Sequence, residues 1–226
     1  MLSIVIPVYN EEKDISAIID KVNGLPLEKE IIVVNDCSKD KTDEILRSIN
    51  IAGLKVIHHA SKRGKGAAIR TALENATGEL VIVQDADLEY DPNDYFKLLE
   101  AINVPGVDIV LGARFTKGYS GMSLSITGNL FLTGLMNKLF GTKFNDCFTC
   151  YKLMRKADVL DFGLLSDSFE IEFEILAKAI KKRMRIVEIP VSYKPRSYKE
   201  GKKIRIRDGF WAFLRIFYFR FGTINK

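Results

Sequence analysis

The sequence predicts an α/β fold in which a mainly parallel sheet is flanked by helices. Short apolar runs alternate with helical patterns through five strands in the first half of the chain. This alternation is typical of parallel sheets that are joined by right-handed crossovers. A chain of 226 residues, 47% of them hydrophobic, is long enough for one sizeable core, so a single domain over residues 1–226 is expected.

The first strand is predicted over residues 2–8 (LSIVIPV), an apolar and β-branched run. Pro7 should end its ladder of hydrogen bonds because proline has no N–H to donate. Apolar residues then recur at helical spacing over residues 15–22, and Gly24 ends that helix. A buried strand followed by an amphipathic helix is the start of a parallel crossover unit.

The second strand is predicted over residues 30–34 (EIIVV), and polar residues follow it directly. Asp36 is placed where an acid can hydrogen-bond a ribose or a base in an open α/β sheet. The alternative is that Asp36 caps the helix predicted over residues 42–49. We favour ligand contact, because a later strand also ends in acids.

A third, shorter strand over residues 54–58 leads into the segment SKRGKGAA, which opens a helix that runs to about residue 76. Two glycines flank Lys65 in this segment. Amides at the start of a helix favour an anion, as does a lysine, so a phosphate-binding loop is expected. The segment matches neither the GxGxxG nor the GxxxxGK[ST] pattern. His58 and His59 are expected to be surface residues at the end of the strand.

The fourth strand, residues 80–83 (LVIV), is fully apolar and ends in a cluster of acids. The cluster comprises Asp85, Asp87, Glu89 and Asp91. Because ligands bind at the carboxyl ends of strands in such sheets, the cluster predicts a site for Mg²⁺ or Mn²⁺ that holds a diphosphate. Asp91 is the exception, since Pro92 follows it and Asp91 can cap the helix predicted over residues 92–102.

The fifth strand, residues 108–111, is followed by Arg114, whose guanidinium group could bind a phosphate. The alternative is an ordinary surface arginine. Residues 120–140 have an apolar face that is too interrupted and too short to span a bilayer. The elements predicted beyond it are a strand within residues 145–155, a helix over residues 169–179 and a strand over residues 185–191.

The section from Lys194 onward is rich in basic and aromatic residues, with ten Lys or Arg against two acids. Basic residues 199–207 precede a run of aromatic and apolar side chains around Trp211. Such a helix fits a membrane interface, where it lies on the leaflet with its basic groups near anionic headgroups. The alternative is a terminal helix that packs on the core.

Charge and cysteine content narrow the partners and the compartment. The formal net charge is +5 and the pI is about 9.0, which favours an anionic partner such as a nucleotide, a nucleic acid or a lipid headgroup. The cysteines, Cys37, Cys147 and Cys150, form no secreted framework, and no signal peptide is evident, so a reducing cytosol is expected. Cys147 and Cys150 have CxxC spacing without a second pair or a nearby His, which favours packing thiols over zinc ligands.

Eight motifs, in order, resemble glycosyltransferase family 2, in the branch of dolichol-phosphate mannose synthases and related polyprenyl-phosphate glycosyltransferases. They are SIVIPVYNEE, EIIVVNDCSKDKT, RGKGAAI, QDADLEYDP, GARF, DCFTCYKLMR, FEIEFEI and PRSYKEGKKIRIRDG, and they cover nearly the whole chain. The resemblance implies a GT-A fold with a Rossmann-like sheet. It also implies a nucleotide-sugar-binding half over residues 1–118 and an acceptor-side half over residues 119–226 that ends in an amphipathic helix.

The resemblance implies a GDP- or UDP-linked sugar donor, Mg²⁺ or Mn²⁺ bound through a DxD motif, and particular binding residues. Those expected to hold the nucleoside are Pro7, Tyr9, Glu11 and Asp36. Those expected at the sugar diphosphate and the metal are Asp85, Ala86 and Asp87, with Glu89 as a further metal ligand. The basic residues expected at phosphates are Arg114, Arg196, Lys202 and Lys203. EGKKI stands where the mannose synthases have GxSK, which leaves the sugar and the choice between the two lysines open.

The expected reaction moves a mannose- or glucose-type hexose with inversion at C1. The metal on Asp87 and a lysine would stabilise the charge on the nucleotide diphosphate leaving group. A polyprenyl or dolichyl phosphate acceptor is already anionic and needs no base, and Arg114 and Arg196 would position it. A sugar or protein hydroxyl acceptor needs a general base, for which Asp146 is the candidate.

Three other functions fit the sequence less well. A sugar nucleotidyltransferase would usually have a glycine-rich, basic first turn, where this chain has YNEE. A nucleic-acid-binding module would explain the basic tail but leaves the acids at strand ends without a role. A non-catalytic domain of the same fold is disfavoured by the intact Asp85-Ala86-Asp87 motif. The expected protein is therefore an enzyme that binds no nucleic acid and associates peripherally with the cytoplasmic face of a membrane.

Overall fold

The computed structural model describes residues 1–116, 124–196 and 206–222, and these form a seven-stranded sheet flanked by helices. The strands are β1 (Leu2–Val8), β2 (Lys29–Asn35), β3 (Leu54–His58), β4 (Leu80–Val83), β5 (Ile109–Ala113), β6 (Lys152–Arg155) and β7 (Ile186–Pro190). Their order is β3-β2-β1-β4-β6-β5-β7, and β6 runs antiparallel to both of its neighbours. The predicted α/β fold with a mainly parallel sheet is confirmed.

The helices follow the predicted alternation in the first half of the chain. They are α1 (Ile15–Asn23), α2 (Thr42–Ser48), α3 (Lys65–Asn75), α4 (Tyr95–Ile102), α5 (Leu124–Phe140), α6 (Lys156–Asp161), α7 (Ile171–Lys181) and α8 (Ile206–Phe221). The helix predicted from residue 92 begins with a 3-10 turn over Pro92–Asp94. Asp91 caps this turn as predicted, because its side chain accepts a hydrogen bond from the Asn93 N–H at 3.1 Å.

The core lies on both faces of the central strands, which explains why their sequences are continuously apolar. In β1, Ile4 and Ile6 are fully buried. On one face, the apolar stripe of α1, including Ile15 and Ile19, is also fully buried. Each such side chain contributes about 1.5–3 kcal/mol through removal from water, so strand and helix stabilise each other.

The register of the parallel strands brings their carboxyl ends to one edge of the sheet. Val8 of β1 pairs with Asn35 of β2, and Val5 pairs with Val83 of β4. β5 lies two strands beyond β4, with β6 antiparallel between them, and β7 pairs with β5 in parallel. The segments that follow β1, β2, β4, β5 and β7 therefore all leave the sheet at the same edge.

β6 is shorter than predicted. Side-chain hydrogen bonds, and not the backbone hydrogen bonds of a sheet, position the segment before it. Asp146 binds Arg114, and the Thr149 hydroxyl donates to the Gly112 carbonyl at 2.5 Å. The strand begins only at Lys152. The expectation of a strand within residues 145–155 is thus confirmed for its last four residues alone.

α8 has one face on the protein and one face exposed. Ile216 and Phe219 are buried where α8 packs beside α5 and α7. The exposed apolar residues of α8 are Trp211, Leu214, Tyr218 and Phe221. The alternative that the terminal helix packs on the core is therefore confirmed for one face, and its membrane contact stays a prediction. Among the helices described, none combines the length and apolar character needed to cross a membrane.

Candidate active site

The carboxyl edge of the sheet gathers most of the residues that the sequence singled out. Tyr9, Asp36 and Asp85 follow β1, β2 and β4, which are neighbours. Arg114 follows β5, and Arg196 lies in the segment after β7. The Asp85-Ala86-Asp87 turn, which we call the acidic turn, forms ion pairs with Lys65 through Asp85 and with Arg196 through Asp87.

Lys65 lies on one side of this turn, at the first position of α3. Its Nζ atom is 2.7 Å from Asp85 Oδ1 and 3.1 Å from Glu172 Oε1. Burial by itself would lower the pKa of Lys65, but the two carboxylates outweigh burial and hold this pKa well above its ordinary value. Burial would likewise raise the pKa of Asp85, and Lys65 holds it below its ordinary value. Lys65 and Asp85 are thus a half-buried, ionised pair.

Arg196 lies on the other side of the turn and meets several acids. Its Nη1 atom is 3.1 Å from Glu11 Oε2 and 2.9 Å from Asp14 Oδ2. Its Nη2 atom is 3.1 Å from Asp87 Oδ2, and its Nε atom is 4.0 Å from Glu89 Oε1. One guanidinium group therefore faces four carboxylates.

The negative charge around Asp87 exceeds the positive charge that Arg196 supplies. Burial and the carboxylates of Asp85 and Glu89 raise the pKa of Asp87 to about 7, against the opposing effect of Arg196. In the described part of the chain, no three His, Cys, Asp or Glu side chains converge into a site of protein ligands alone. Asp85 and Asp87 nevertheless fit Mg²⁺ or Mn²⁺, since Mg²⁺ usually takes one or two carboxylates and completes its shell with substrate phosphates and water.

Glu89 joins the acidic turn to the segment after β7. Its Oε2 atom accepts a hydrogen bond from the Tyr193 hydroxyl at 2.7 Å, and Oε1 accepts one from the Arg196 N–H at 2.8 Å. The backbone carbonyl of Glu89 accepts from the Lys194 N–H at 2.8 Å. A role for Glu89 as a metal ligand stays a prediction. Lys202 and Lys203 lie outside the described residues.

Arg114 and Asp146 form what we call the closed pair, because the guanidinium group of Arg114 binds both carboxylate oxygens of Asp146. Nε and Nη2 of Arg114 donate to Oδ2 and Oδ1 of Asp146 at 2.7 and 2.9 Å, and the Asp146 side chain is 0% exposed. The rings of Phe115 and Tyr193 lie 4.8 and 5.1 Å from the Arg114 guanidinium carbon. Burial alone would raise the pKa of Asp146, but Arg114 outweighs it and holds this pKa below its ordinary value. Both oxygens are engaged, so Asp146 is a weak candidate for a general base.

Asp36 is buried, and its carboxylate binds within the protein. Oδ1 accepts from His59 Nδ1 and from the Arg63 N–H, both at 2.8 Å, and Oδ2 accepts from the Gly64 N–H at 2.7 Å. His59 also contacts Thr71 Oγ1 through Nε2 at 3.0 Å. The prediction that His59 is a surface residue is therefore wrong, because the ring is buried and joins Asp36 to Thr71 of α3.

The expected phosphate cradle at the start of α3 is closed by the protein. The N–H groups of Gly66 and Ala67 donate to the Asp167 carbonyl at 2.8 and 3.2 Å. A Cβ atom on Gly66 would lie 2.3 Å from the Ser166 carbonyl oxygen, so glycine is needed there for close backbone approach. The glycines of this segment serve packing, and Lys65 alone reaches toward the acidic turn.

The residues expected around the nucleoside lie together near the end of β1. Pro7 is half-buried within β1 itself, and Tyr9 follows it. Lys62 Nζ lies 3.7 Å from the centroid of the Tyr9 ring. Ala86, between the two aspartates, is buried. The arrangement places an aromatic ring, a lysine and carboxylates along one edge.

Sequence reasoning missed several residues that complete these clusters. Asp14 precedes α1 without a pattern that marks it. Glu172 did carry a signal, since it shares a helical face with the apolar Ile175 and Leu176, both buried. An acid on an apolar face indicates a buried partner, which is Lys152 at 2.5 Å.

Comparison with known proteins identifies the family. Residues 3–162 match the model of glycosyl transferase family 2. The chain is 31% identical over 209 residues to a dolichol-phosphate mannosyltransferase of Pyrococcus furiosus, covering 89% of this chain and 58% of that protein. It is 29% identical over 198 residues to a dolichyl-phosphate hexose transferase of Haloferax volcanii, covering 87% of this chain and 84% of the relative.

A solved structure shows the same fold. The glucosyl-3-phosphoglycerate synthase of Mycobacterium tuberculosis, in complex with Mn²⁺, uridine diphosphate and phosphoglyceric acid, superposes with a TM-score of 0.72 at 17% identity. The match covers 98% of this chain and 78% of that one. The predicted GT-A fold is confirmed, and so is the resemblance drawn from the motifs. The chain belongs to glycosyl transferase family 2.

Proposed function

We propose that this chain is a metal-dependent, inverting glycosyltransferase that moves a mannose- or glucose-type hexose from a GDP- or UDP-linked donor to a polyprenyl or dolichyl phosphate. The observation that carries the proposal is the position of Asp85 and Asp87 at the carboxyl end of β4, with Lys65 on one side and Arg196 on the other. Crowded carboxylates suit a divalent ion, and flanking cations suit a diphosphate.

The nucleoside is assigned to the segments after β1 and β2. Pro7 and Tyr9 offer an apolar surface, and Glu11 and Asp36 offer acceptors. Asp36 receives three hydrogen bonds from the protein, and a carboxylate has about four acceptor positions. One position therefore remains for a donor group of the ribose or the base, with the carboxylate held rigid by His59.

The donor diphosphate is assigned to the Asp85-Ala86-Asp87 turn. A divalent ion held by Asp85 and Asp87, with Glu89 as the expected further ligand, would neutralise charge on the leaving diphosphate. Lys65 and Arg196 add positive charge from the protein on both sides of the turn. Lys202 and Lys203 belong to the same proposal as additional phosphate ligands.

A phosphate acceptor is favoured over a hydroxyl because of Asp146. A hydroxyl needs a base near it, whereas both Asp146 oxygens are bound by Arg114 and its pKa is lowered. A phosphate oxygen is already anionic and can attack directly. Arg114 and Arg196 are the arginines assigned to positioning it.

The reaction is a direct displacement. The acceptor phosphate oxygen forms a bond to C1 of the hexose while the bond from C1 to the donor diphosphate breaks, and the bonding electrons leave with the nucleoside diphosphate. One displacement inverts the configuration at C1. Lys65 and Arg196 stabilise the transition state to the extent that they meet charge that develops only as the bond breaks.

The relatives support the acceptor class and the metal. The Pyrococcus protein is named for transfer of mannose to dolichol phosphate, and the Haloferax protein for transfer of a hexose to dolichyl phosphate. The Mycobacterium tuberculosis structure holds Mn²⁺ and uridine diphosphate. Its relation to this chain is one of fold, so the donor base and the metal remain part of the proposal.

We also propose that α8 lies on a membrane surface at its cytoplasmic face, where the lipid acceptor resides. Trp211 is 62% exposed and Phe221 is 70% exposed, and they share the outer face with Leu214 and Tyr218. Arg215 and Arg220 lie in the same helix and are also exposed. Exposed aromatic residues beside arginines suit the boundary between anionic headgroups and acyl chains.

A transfer assay tests the enzymatic proposal. The chain is incubated with radiolabelled GDP- or UDP-hexoses and a polyprenyl phosphate in detergent, with Mg²⁺ or Mn²⁺ or with EDTA. We expect label in the lipid phase that requires the metal and is lost in Asp87→Ala, while the matched surface variant Asp161→Ala keeps it. Label that appears only as free sugar contradicts the phosphate acceptor and makes a hydroxyl acceptor, with Asp146 as base, the better hypothesis.

Vesicle binding tests the proposal for α8. Trp211 is the one tryptophan of the sequence, so its fluorescence reports directly on this helix. We expect flotation with anionic vesicles, a shift of emission to shorter wavelength and weaker binding at high salt. Tyr218→Asp should reduce binding, and Leu160→Asp, an exposed leucine of α6, should not. Vesicle binding that is unchanged in Tyr218→Asp and equally strong with uncharged lipids contradicts the proposal.

A further inference from the structure

The ion pairs beside the acidic turn continue into the core. Lys152, whose side chain is 1% exposed, lies at the start of β6, and its Nζ atom donates to Glu172 Oε2 at 2.5 Å and to the Thr149 carbonyl. Glu172 lies in the first turn of α7 and is 8% exposed. Together with Lys65 and Asp85, these residues form a row of two lysines and two carboxylates with balanced charge.

The two oxygens of Glu172 differ in their partners. Oε2 has its hydrogen bond from Lys152. Oε1 is buried and 3.1 Å from Lys65 Nζ, but the angle does not make a hydrogen bond, and no other donor among the described residues reaches it. Lys65 is instead aligned with Asp85, 2.7 Å away. A buried acceptor without a hydrogen bond is unfavourable, so Glu172 has capacity to take the ammonium group of Lys65.

We propose that Glu172, fixed in place by Lys152, is a positioning residue for Lys65: it receives the lysine's ammonium group when Asp85 engages the divalent ion and the donor diphosphate. This inference rests on the proposed function, which assigns that donor site to Asp85. A divalent ion at Asp85 repels the ammonium group. Glu172 offers a second carboxylate within reach, so Lys65 can release Asp85 without becoming a buried, unpaired charge.

Removing the Glu172 carboxylate should therefore leave Lys65 bound to Asp85 and in competition with the divalent ion. The test variant is Lys152→Met combined with Glu172→Gln, which removes one charge of each sign and avoids a buried, unpaired lysine. We expect the affinity for Mn²⁺ in the presence of UDP or GDP, measured by paramagnetic resonance, to fall roughly 10- to 100-fold. The KM for the donor should rise more than kcat falls.

The matched control variant is Lys182→Met combined with Asp161→Asn. It removes the same two charges from an exposed pair whose atoms are 2.6 Å apart at the far end of α7, and Mn²⁺ affinity should not change. Lys152→Met alone provides a second measurement if the double variant folds poorly, because Glu172 then remains but is no longer fixed. A several-fold loss of Mn²⁺ affinity is expected there.

A double-mutant cycle separates positioning from general structural support. In a Lys65→Met background, changing Lys152 and Glu172 should have no further effect on Mn²⁺ affinity, because Lys65 is the group through which they act. A loss of equal size in that background overturns the inference. So does unchanged Mn²⁺ affinity in the original background when Asp85→Asn does weaken it. If Asp85→Asn itself has no effect on Mn²⁺ binding, the proposed donor site is wrong as well.

Discussion

Arg114 and Arg196 lie at the same edge of the sheet, and both pair with carboxylates, yet their charges are balanced differently. Arg114 meets a single carboxylate, Asp146, through two parallel hydrogen bonds. Arg196 contacts four carboxylates, which we call the overcrowded cluster: those of Glu11, Asp14, Asp87 and Glu89. The first arrangement is neutral and closed, whereas the second has an excess of negative charge.

The pKa shifts follow this difference. Arg114 holds the pKa of Asp146 below its ordinary value in spite of burial. Burial and neighbouring acids raise the pKa of Asp87 to about 7, although Arg196 contacts it. A balanced pair stabilises the fold, and an overcrowded cluster stores unfavourable electrostatic energy that a bound cation can relieve. The contrast separates a neutral pair, in which Asp146 is engaged by Arg114, from a cluster whose excess negative charge suits a bound cation.

The largest expected effect is on the closed pair. Asp146→Ala would leave the Arg114 guanidinium buried without a counter-ion, and we expect a loss of about 3–5 kcal/mol in the free energy of unfolding, measured by urea denaturation. Glu11→Gln should cost far less, because Arg196 keeps its other carboxylates. Combining Arg114→Met with Asp146→Leu should restore much of the stability. A small loss in Asp146→Ala would show that the pair is not a structural element.

The sequence is sufficient to predict the strands, because the apolar runs that indicate them are local in the chain. Continuous apolar runs such as LVIV predicted β4, and the acids after it were placed correctly at the carboxyl edge. The topology rule for parallel sheets then predicts that Asp36, Asp85 and Arg114 lie at one edge. β6 departed furthest from the predicted extent, since side-chain contacts hold the residues before it, whereas the ends of β2, β5 and β7 differ from the prediction by one or two residues.

The partners of the charged residues were not predictable in the same way. Lys152 and Glu172 are far apart in sequence, and nothing in either motif states that β6 and α7 bring them within 2.5 Å. The role of His59 was missed because its environment depends on how α3 packs on the sheet, which brings Thr71 to the His59 ring. Pairing of long side chains depends on tertiary packing, whereas periodicity reports only which face of an element is buried.

The overcrowded cluster provides the second prediction. With a pKa of about 7 in the folded protein and an ordinary value near 4 when unfolded, Asp87 binds a proton more tightly in the folded state. Its contribution to stability is therefore lost as pH rises through this window. Asp87→Asn should stabilise the ligand-free protein by about 1–3 kcal/mol at pH 8 and by less at pH 5.

Thermal or urea unfolding across pH 5–8, in the presence of EDTA, measures this gain. The matched control is Asp146→Asn, which should destabilise at pH 8 because its carboxylate has a lowered pKa. Asp87→Asn should also lose metal-dependent transfer, so stability and activity move in opposite directions at this residue. A loss of stability in Asp87→Asn at pH 8 would contradict the view that the cluster is overcrowded.

The smallest expected effect concerns Tyr193, which contacts Arg114 and also Glu89, one of the carboxylates that face Arg196. Its ring contacts the Arg114 guanidinium, with the guanidinium carbon 5.1 Å from the ring centroid, and its hydroxyl donates to Glu89 at 2.7 Å. Tyr193→Phe keeps the ring and removes the hydroxyl, so a loss of about 0.5–1.5 kcal/mol in unfolding free energy is expected. The loss should disappear in a Glu89→Ala background, where the hydroxyl has no carboxylate to bind. The loss of stability in Tyr193→Phe should stay the same when Arg114 and Asp146 are replaced together. The reason is that the Tyr193 hydroxyl contacts the overcrowded cluster, whereas only its ring contacts the closed pair. A loss that changes when Arg114 is replaced would mean that the two regions are energetically coupled.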